Sequence, residues 1–275
     1  MYGRSGRLRH GAAGLAVGVL LAGCSGGGDA PDTDRAKPAA TASGATEAKG
    51  DGAAPGPAAT TGLDFSPDES REPRTRAQAL RLARAVAAEP RRYGAGYVER
   101  NPYESDPGSL AVLDEDCVWQ REPLPPSVLT SFTRYSELPA KGGKGPIRIA
   151  ATVVVHREVS DAEWEMARTL EEALRCPEQQ LSQDERLTGL LSAGLPFGVG
   201  QFSSEDSISE SGEYHSDALG GPHHYIWGQS RLGKVTVSAV GKGSEGHAPE
   251  EIDTAVTEAT GVMLAVAEDE LEGPR

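Results

Sequence analysis

The chain has 275 residues and a formal net charge of −14, from 41 acidic and 27 basic side chains. Nucleic-acid binding needs a basic face that neutralises phosphates, and a polybasic hold on anionic lipid has the same requirement, so this charge balance argues against both classes. Aromatic residues make up only 5% of the chain, and a core must therefore consist mainly of Val, Leu, Ile and Ala.

The start of the chain has the three parts of a bacterial export signal. It opens with three arginines, continues through an uncharged and mostly apolar run over residues 11–21, and closes on Leu21-Ala22-Gly23-Cys24. A helix that spans a bilayer needs about 20 apolar residues. The shorter run here is typical of a signal peptide, so residues 1–23 are predicted to be a signal that is removed.

The string Leu-Ala-Gly-Cys resembles the lipobox of bacterial lipoproteins, whose cysteine is acylated before the signal is cleaved. An ordinary secretory signal is the alternative. Glycine and serine follow at once in residues 25–28, as a flexible tether requires, and this favours the lipoprotein interpretation. We predict lipid attachment, with palmitate or a related acyl chain, at Cys24. The protein would then be anchored in the cell membrane and face the extracellular side.

Residues 24–72 are predicted to be a disordered tether. From Ser25 to about Thr61 the only aliphatic side chains are alanines, and such a stretch buries too little apolar surface to offset its loss of conformational entropy. A flexible segment of this length spans roughly 35–40 Å. Residues 73–275 remain for one extracytoplasmic domain.

The first half of that domain has three predicted elements. Residues 75–86 have helical spacing, and Pro90 should end that helix. A short strand is expected around Cys117-Val118-Trp119, and the proline-containing run 122–128 is assigned to a loop. Residues 147–159 alternate between a uniformly apolar face and a mixed one, which predicts a strand with one face on the core.

A helix is predicted from a capping box at Ser160-Asp161-Ala162-Glu163 to about Cys176. Its apolar stripe, assigned to the core, consists of Trp164, Ala167, Leu170 and Leu174. The three tryptophans, Trp119, Trp164 and Trp227, are likewise interpreted as core residues, with a ligand-binding box as the alternative.

The second half predicts more strands and a last helix. Residues 187–195 are apolar and ambiguous, and the acidic, serine-rich segment Ser203–Asp217 reads as a mobile surface loop or an edge hairpin. A hairpin is expected from residues 223–230 and 234–241, followed by a helix with Pro249 at its first position. Hairpins without regular strand–helix alternation predict an α+β fold, an antiparallel sheet with helices packed on one face.

With Cys24 lipidated, Cys117 and Cys176 remain. Outside the cytoplasm such a pair usually forms a disulfide. A reactive or metal-binding thiol pair is the alternative, but the two residues do not form a CxxC motif. We therefore predict a structural disulfide.

The common catalytic motifs are absent or incomplete. The string from Gly228 to Lys234 nearly spells a phosphate-binding loop, but Val235 stands where that loop needs Ser or Thr. A metal site could use four histidines of the second half together with Glu213 and Asp217, although surface histidines are the simpler interpretation. Those histidines are His215, His223, His224 and His247. His156 is assigned to a strand face. The sequence thus predicts no catalytic residue, metal or cofactor.

Residues 117–271 resemble the extracellular sensor domain of the actinobacterial membrane kinase PknH, a domain also found in secreted lipoproteins. Five features carry the resemblance: a Cys-x-Trp, a β-rich run, a helix ending in Cys176, an Ile-Trp-Gly hairpin and a terminal Ala/Val helix. The scarcity of Lys and Asn and the abundance of Ala, Gly and Arg also resemble an actinobacterial composition. The resemblance implies a non-enzymatic domain with a cleft for a ligand.

The sequence therefore predicts a membrane-anchored, sensor-like lipoprotein that binds an unknown ligand, wall polymer or protein partner. A cell-envelope hydrolase and an inert structural or interaction lipoprotein are the alternatives. An apolar cleft with converging polar groups would favour binding, whereas paired carboxylates or a Ser–His contact would favour hydrolysis.

Overall fold

A computed structural model describes residues 63, 65–194 and 204–272. The predicted signal peptide, Cys24 and most of the predicted tether lie outside these residues. The helices are α1 (Arg76–Val86), α2 (Val159–Arg175) and α3 (Pro249–Glu272), with a short 3₁₀ helix at Pro90–Arg92. The strands are β1 (Val98–Glu104), β2 (Ser109–Leu113), β3 (Trp119–Pro123), β4 (Val128–Leu138), β5 (Ile147–His156), β6 (Gln179–Gln180), β7 (Glu185–Gly194), β8 (Asp206–Ser216), β9 (Gly220–Leu232) and β10 (Val235–Lys242).

An eight-stranded antiparallel sheet organises the domain and confirms the predicted α+β fold. Its order is β1-β4-β5-β10-β9-β8-β7-β6, and β2 and β3 form a separate hairpin. The predicted hairpin of β9 and β10 is confirmed in full register, from Val235 opposite Leu232 to Lys242 opposite Tyr225. Gly233 sits in its turn with φ of 57°, a conformation that favours glycine.

The core lies between one face of the sheet and the helices α1 and α3. The predicted apolar face of β5 is confirmed, since Ile147, Ile149, Ala151, Val153 and Val155 are all at most 2% exposed. Because side chains of a strand alternate between its two faces, these five lie on one face, and the apolar face of α3 covers them. We call this side of the sheet the helix face.

A glycine sets how closely α3 approaches the sheet. A Cβ atom at Gly241 would lie 2.5 Å from the Ile252 side chain and 2.8 Å from that of Val256. A larger residue there would push α3 away. Pro249 is the first residue of α3, as predicted.

The predicted orientation of α2 is wrong. The helix begins at Val159 with a capping box of Glu158 and Asp161, so its N-cap lies two residues before the predicted Ser160. It lies on the sheet face opposite α1 and α3, and its apolar stripe points to solvent. Trp164 is 74% exposed, Leu170 49% and Leu174 81%, and Ala167 is exposed as well.

Two further predictions need correction. The acidic segment predicted to be a mobile loop or edge hairpin forms β8, an inner strand paired with both β7 and β9; its first residue, Ser203, lies outside the described residues. The strand predicted around Cys117 begins only at Trp119, because residues 114–118 form the turn of the β2–β3 hairpin.

The folded part begins before Pro73. Residues 65–72, assigned to the tether by sequence, lie against the end of α3, where the Asp68 N–H donates to the Leu271 carbonyl at 2.9 Å. Glu72 also pairs with Lys234, with its oxygen 2.5 Å from Nζ. The ambiguous residues 187–194 belong to β7.

Candidate functional site

A cleft of about 420 Å³ lies on the sheet face opposite the core, which we call the cleft face. Strands β4, β5, β10, β9 and β8 form its floor, the β2–β3 hairpin one wall and α2 the other. This volume falls within the roughly 300–1,000 Å³ that is usual for small-molecule sites.

Every second residue of the floor strands points into the cleft, and most of these side chains are polar. In β5 and β10, the strands at the centre of the floor, the alternation that buries valines on the helix face presents Arg148, Thr152, Ser238 and Lys242 to the cleft. Cross-strand pairs continue the polar row, with Ser238 opposite both Thr152 and Gln229. The floor is therefore a surface of hydrogen-bonding groups.

A polar network joins α2 to this floor. The Glu165 carboxylate contacts the His156 ring and accepts hydrogen bonds from Thr236 Oγ1 and Gln229 Nε2, each at 3.0 Å. Thr169 Oγ1 in turn donates to Gln229 Oε1 at 3.0 Å. The helix thus directs its polar side inward, which explains why its apolar stripe faces solvent.

The hairpin wall is attached by apolar and polar contacts. Leu110 packs on Val128 and Val154 in a small buried cluster. Arg121 donates to the Tyr135 hydroxyl at 2.7 Å, and Trp119 Nε1 donates to Gln179 Oε1 at 2.8 Å. The contacts of Leu110 and Arg121 hold the hairpin over β4 and β5, and that of Trp119 joins it to β6, which follows α2.

The predicted disulfide is confirmed and joins the two walls. Cys117 lies in the hairpin turn and Cys176 caps the end of α2, with their Cα atoms 5.6 Å apart. Arg175 Nη1 also donates to the Asp114 carbonyl of the same turn at 2.9 Å. The bridge therefore links wall to wall across the cleft.

One end of the cleft is rich in cations, and we call it the basic end. Its members are Arg100, Arg121, Arg148 and Lys242. Glu185 lies among them, with one carboxylate oxygen 3.1 Å from Arg148 Nη1 and the other 2.7 Å from Lys242 Nζ. Burial, together with the nearby Arg100 and Arg148 charges, lowers the pKa of Lys242 despite the bond to Glu185.

Carboxyl groups lie elsewhere along the cleft. Burial raises the pKa of Glu172 on α2 to about 6, and it raises that of Glu210 on β8 as well. Glu210 is 5% exposed and accepts a hydrogen bond from Ser192 Oγ at 2.9 Å. With Glu165, these groups make the rest of the cleft acidic.

Two of the tryptophans predicted to be core residues, Trp119 and Trp227, instead line the cleft as partly buried side chains, and the third is exposed on α2. Leu110, Leu113 and Val240 join them, so apolar surface lies beside the polar floor. Such a combination suits a small amphipathic ligand.

The candidate histidines do not meet in the cleft. His223 bonds the Leu219 carbonyl, whereas His224 and His247 bond the carboxylates of Asp253 and Glu251 near the start of α3. Asp217 lies elsewhere again, with its N–H on the Asp184 carbonyl. Among residues 65–194 and 204–272, no three His, Cys, Asp or Glu side chains are grouped so as to hold a metal ion.

A threonine–histidine contact outside the cleft lacks the geometry of a catalytic triad. Thr188 Oγ1 lies 2.9 Å from His215 Nε2, and the Glu213 carboxylate approaches the same nitrogen at 3.7 Å. A triad needs hydroxyl and carboxylate on different ring nitrogens, so that one orients the base for the other.

No protein-family model matches this chain, and no curated protein is significantly similar to it. Within the described residues, no helix has both the length and the apolar character needed to cross a membrane. The fold and the geometry of the cleft are therefore the basis for assigning a function.

Proposed function

We propose that this chain is an extracytoplasmic lipoprotein, anchored through Cys24, whose folded domain binds a small ligand in the cleft. The observation that carries the binding function is the cleft itself. A polar floor, two tryptophan side chains and buried charged groups converge on one cavity of about 420 Å³. Convergent polar groups in a partly apolar cavity are the usual signature of a ligand site.

The way the walls are held supports binding. The polar network of α2 and the disulfide place both walls over the floor before any ligand arrives. A preformed cleft loses less conformational freedom on binding, which raises affinity. The domain therefore has the organisation of a receptor for a soluble molecule.

Ligand binding is tested by native mass spectrometry of the protein purified from the envelope of the producing cells. We expect a retained mass that is absent after denaturation. Ser238→Trp should abolish it, because the new side chain fills the middle of the floor. Ser160→Trp, on the exposed first turn of α2, is the matched control and should retain the ligand. A mass that survives Ser238→Trp in a correctly folded protein would contradict the proposed site.

Anchoring is tested separately. Wild-type protein should incorporate labelled palmitate and sediment with membranes, and Cys24→Ala should do neither. Membrane retention of the Cys24→Ala variant, together with an unlabelled wild type, would refute the lipid anchor.

A second candidate, an envelope glycoside hydrolase, is favoured by one observation. Glu172 and Glu210 line the same cleft, and burial raises the pKa of both, as in a carboxyl group that acts as a general acid. Release of dye from labelled peptidoglycan tests this function. We expect none; release that is lost in Glu210→Gln and kept in Glu213→Gln would replace the binding function by hydrolysis.

A further inference from the structure

The basic end of the cleft has more positive charge than its carboxylates balance. Arg100, Arg148 and Lys242 interact electrostatically there. Among the carboxylates of residues 65–194 and 204–272, only that of Glu185 contacts them at hydrogen-bond distance, and its two oxygens are already shared with Arg148, Lys242 and the Tyr214 hydroxyl. Glu137 is the next carboxylate, 3.7 Å from Arg148 Nε.

Some N–H groups at this end have no hydrogen-bond acceptor among the described residues. The Nε atom of Arg148 is buried and makes no hydrogen bond with them, since the Glu137 oxygen lies beyond hydrogen-bond distance. Arg100 lines the cleft and makes no hydrogen bond or ion pair with the described residues within the usual distances. Unpaired cationic donors cost desolvation energy unless a ligand supplies acceptors.

The location of these cations is unexpected for this chain. The protein carries a net charge of −14, so its surface repels anions in general. An excess of cations over carboxylates inside a cleft creates a local attraction for one anionic group. It does not create a surface for polyanions, which would meet the acidic exterior.

From these observations we infer that the basic end binds the acid group, a carboxylate or a phosphate, of an organic anion whose apolar body lies along Trp119, Trp227 and Val240. This inference rests on the proposed binding function and specifies the ligand class. Charge-assisted hydrogen bonds from Arg and Lys are the strongest available to such a group.

The carboxyls in the rest of the cleft restrict the ligand further. Glu165, Glu172 and Glu210 line it beyond the basic end. A second acid group at the far end of the ligand would meet like charge or a carboxyl that must take up a proton. The cleft therefore selects molecules with one acidic end and an uncharged or hydroxylated opposite end.

The test uses isothermal titration calorimetry of the purified protein with four probes of equal chain length, each below its micellar concentration. They are octanoate, octyl phosphate, octanedioate and the uncharged octyl glucoside. We expect octanoate or octyl phosphate to bind at least about tenfold more tightly than octyl glucoside and octanedioate, as loss of a charge-assisted contact implies. Whichever of the two anions binds more tightly identifies the ligand as a carboxylate or a phosphate.

Arg100→Gln is the decisive variant, because no hydrogen bond within the described residues depends on Arg100. It should weaken binding of the anionic probe by about tenfold and leave octyl glucoside unchanged. Arg168→Gln is the matched control, since Arg168 also lines the cleft but pairs with Glu172 at 3.6 Å. It should change the affinity by less than about threefold.

Two results would overturn the inference. Equal affinity for octanoate, octyl phosphate and octyl glucoside, blocked by Ser238→Trp, would leave the cleft as a binding site but remove its preference for anions. Failure of all four probes to bind would exclude the organic-anion class. The native mass measurement would then decide independently whether the cleft binds anything.

Discussion

The two faces of the large sheet are formed by the same strands but differ in composition and packing. On the helix face, valine, isoleucine and alanine side chains pack against α1 and α3 and are almost fully buried. On the cleft face, most of the intervening side chains are polar, and α2 rests on some of them through hydrogen bonds. Stability is thus concentrated on one side of the sheet, which leaves the other side available for recognition.

The largest expected effect is on the helix face. Phe132 is 0% exposed, and Phe132→Ala should lower the free energy of unfolding by about 3–5 kcal/mol through lost burial and the cavity left behind. Its neighbour Thr133 points to the cleft and bonds Thr152 at 2.9 Å, so Thr133→Val should cost only about 1 kcal/mol. Urea unfolding of both variants measures the difference. Equal losses would contradict the division between the faces.

The disulfide should have the next largest effect, because it is the main covalent constraint on the cleft side. Its two cysteines are 59 positions apart in sequence. Replacing both by Ala should cost about 2–4 kcal/mol, mainly by freeing the unfolded chain. Dithiothreitol should lower the wild-type stability by a similar amount and leave the double variant unchanged. Sensitivity of that variant to the reductant would show that another effect is being measured.

A smaller effect of opposite sign is expected at Glu172. Burial raises the pKa of its carboxyl in the folded state from 4.5 to about 6, and the side chain is only 14% exposed. The folded state therefore holds a proton more tightly, and the ionised group destabilises the fold above about pH 6. Glu172→Gln should raise stability by about 1 kcal/mol at pH 7.5, and the gain should fade as the pH falls from about 6 to 4.5.

The matched control for this pH effect is Glu171→Gln. Glu171 is the adjacent residue of α2, but its side chain is 60% exposed. The free energy of unfolding of the Glu171→Gln variant should equal that of the wild type from pH 4 to 7.5. A lower stability of Glu172→Gln at pH 7.5 would mean that the pairing with Arg168 outweighs the cost of burial.

The smallest effect is expected on the outer side of α2. Trp164 is 74% exposed, and Trp164→Ser should change the free energy of unfolding by less than about 0.5 kcal/mol. Its fluorescence should also be quenched readily by iodide. A loss of several kcal/mol would place the side chain in a core and restore the orientation that the sequence suggested.

The sequence predicted the elements of the helix face well and those of the cleft face poorly. Strand β5 and helix α3 were recognisable because their buried residues recur with periods of 2 and 3.6. Strand β4 was missed because its cleft side carries Ser131, Thr133 and Tyr135. The segment of β8 was predicted to be a loop or an edge hairpin, although Ile208 and Tyr214 lie among polar residues at the even spacing of one strand face.

Amphipathicity also left the orientation of α2 undetermined. Periodicity identifies two faces of a helix but does not say which one meets the protein, and the usual rule that apolar residues are buried failed here. The signal was the spacing of Glu165, Thr169 and Glu172, which places them on the opposite face from Trp164. Their partners lie on strands distant in sequence, so they carried meaning only once the sheet was assembled.

Most of the candidate site could not be predicted from the sequence either, because its residues lie far apart in the chain. Arg148 and Lys242 occupy strands far apart in the chain and are brought together by the register of β5 and β10, in which they are paired directly. Neither belongs to a motif. The four histidines were considered as metal ligands because they are close in sequence. Within the described residues, no three of the His, Cys, Asp and Glu side chains are grouped so as to hold a metal ion. By contrast, the disulfide was predictable because only two cysteines remained after Cys24.

The disulfide has a kinetic consequence for the cleft. It connects the hairpin turn to the end of α2, and both of these are walls rather than floor. The walls therefore form a single mechanical unit, and any widening that admits a ligand must displace hairpin and helix in concert. Reduction would let each wall fluctuate independently, which should speed ligand entry but speed escape still more, because two separate parts would then have to be ordered around the bound molecule. Residence time, more than association rate, would thus depend on the oxidation state of Cys117 and Cys176.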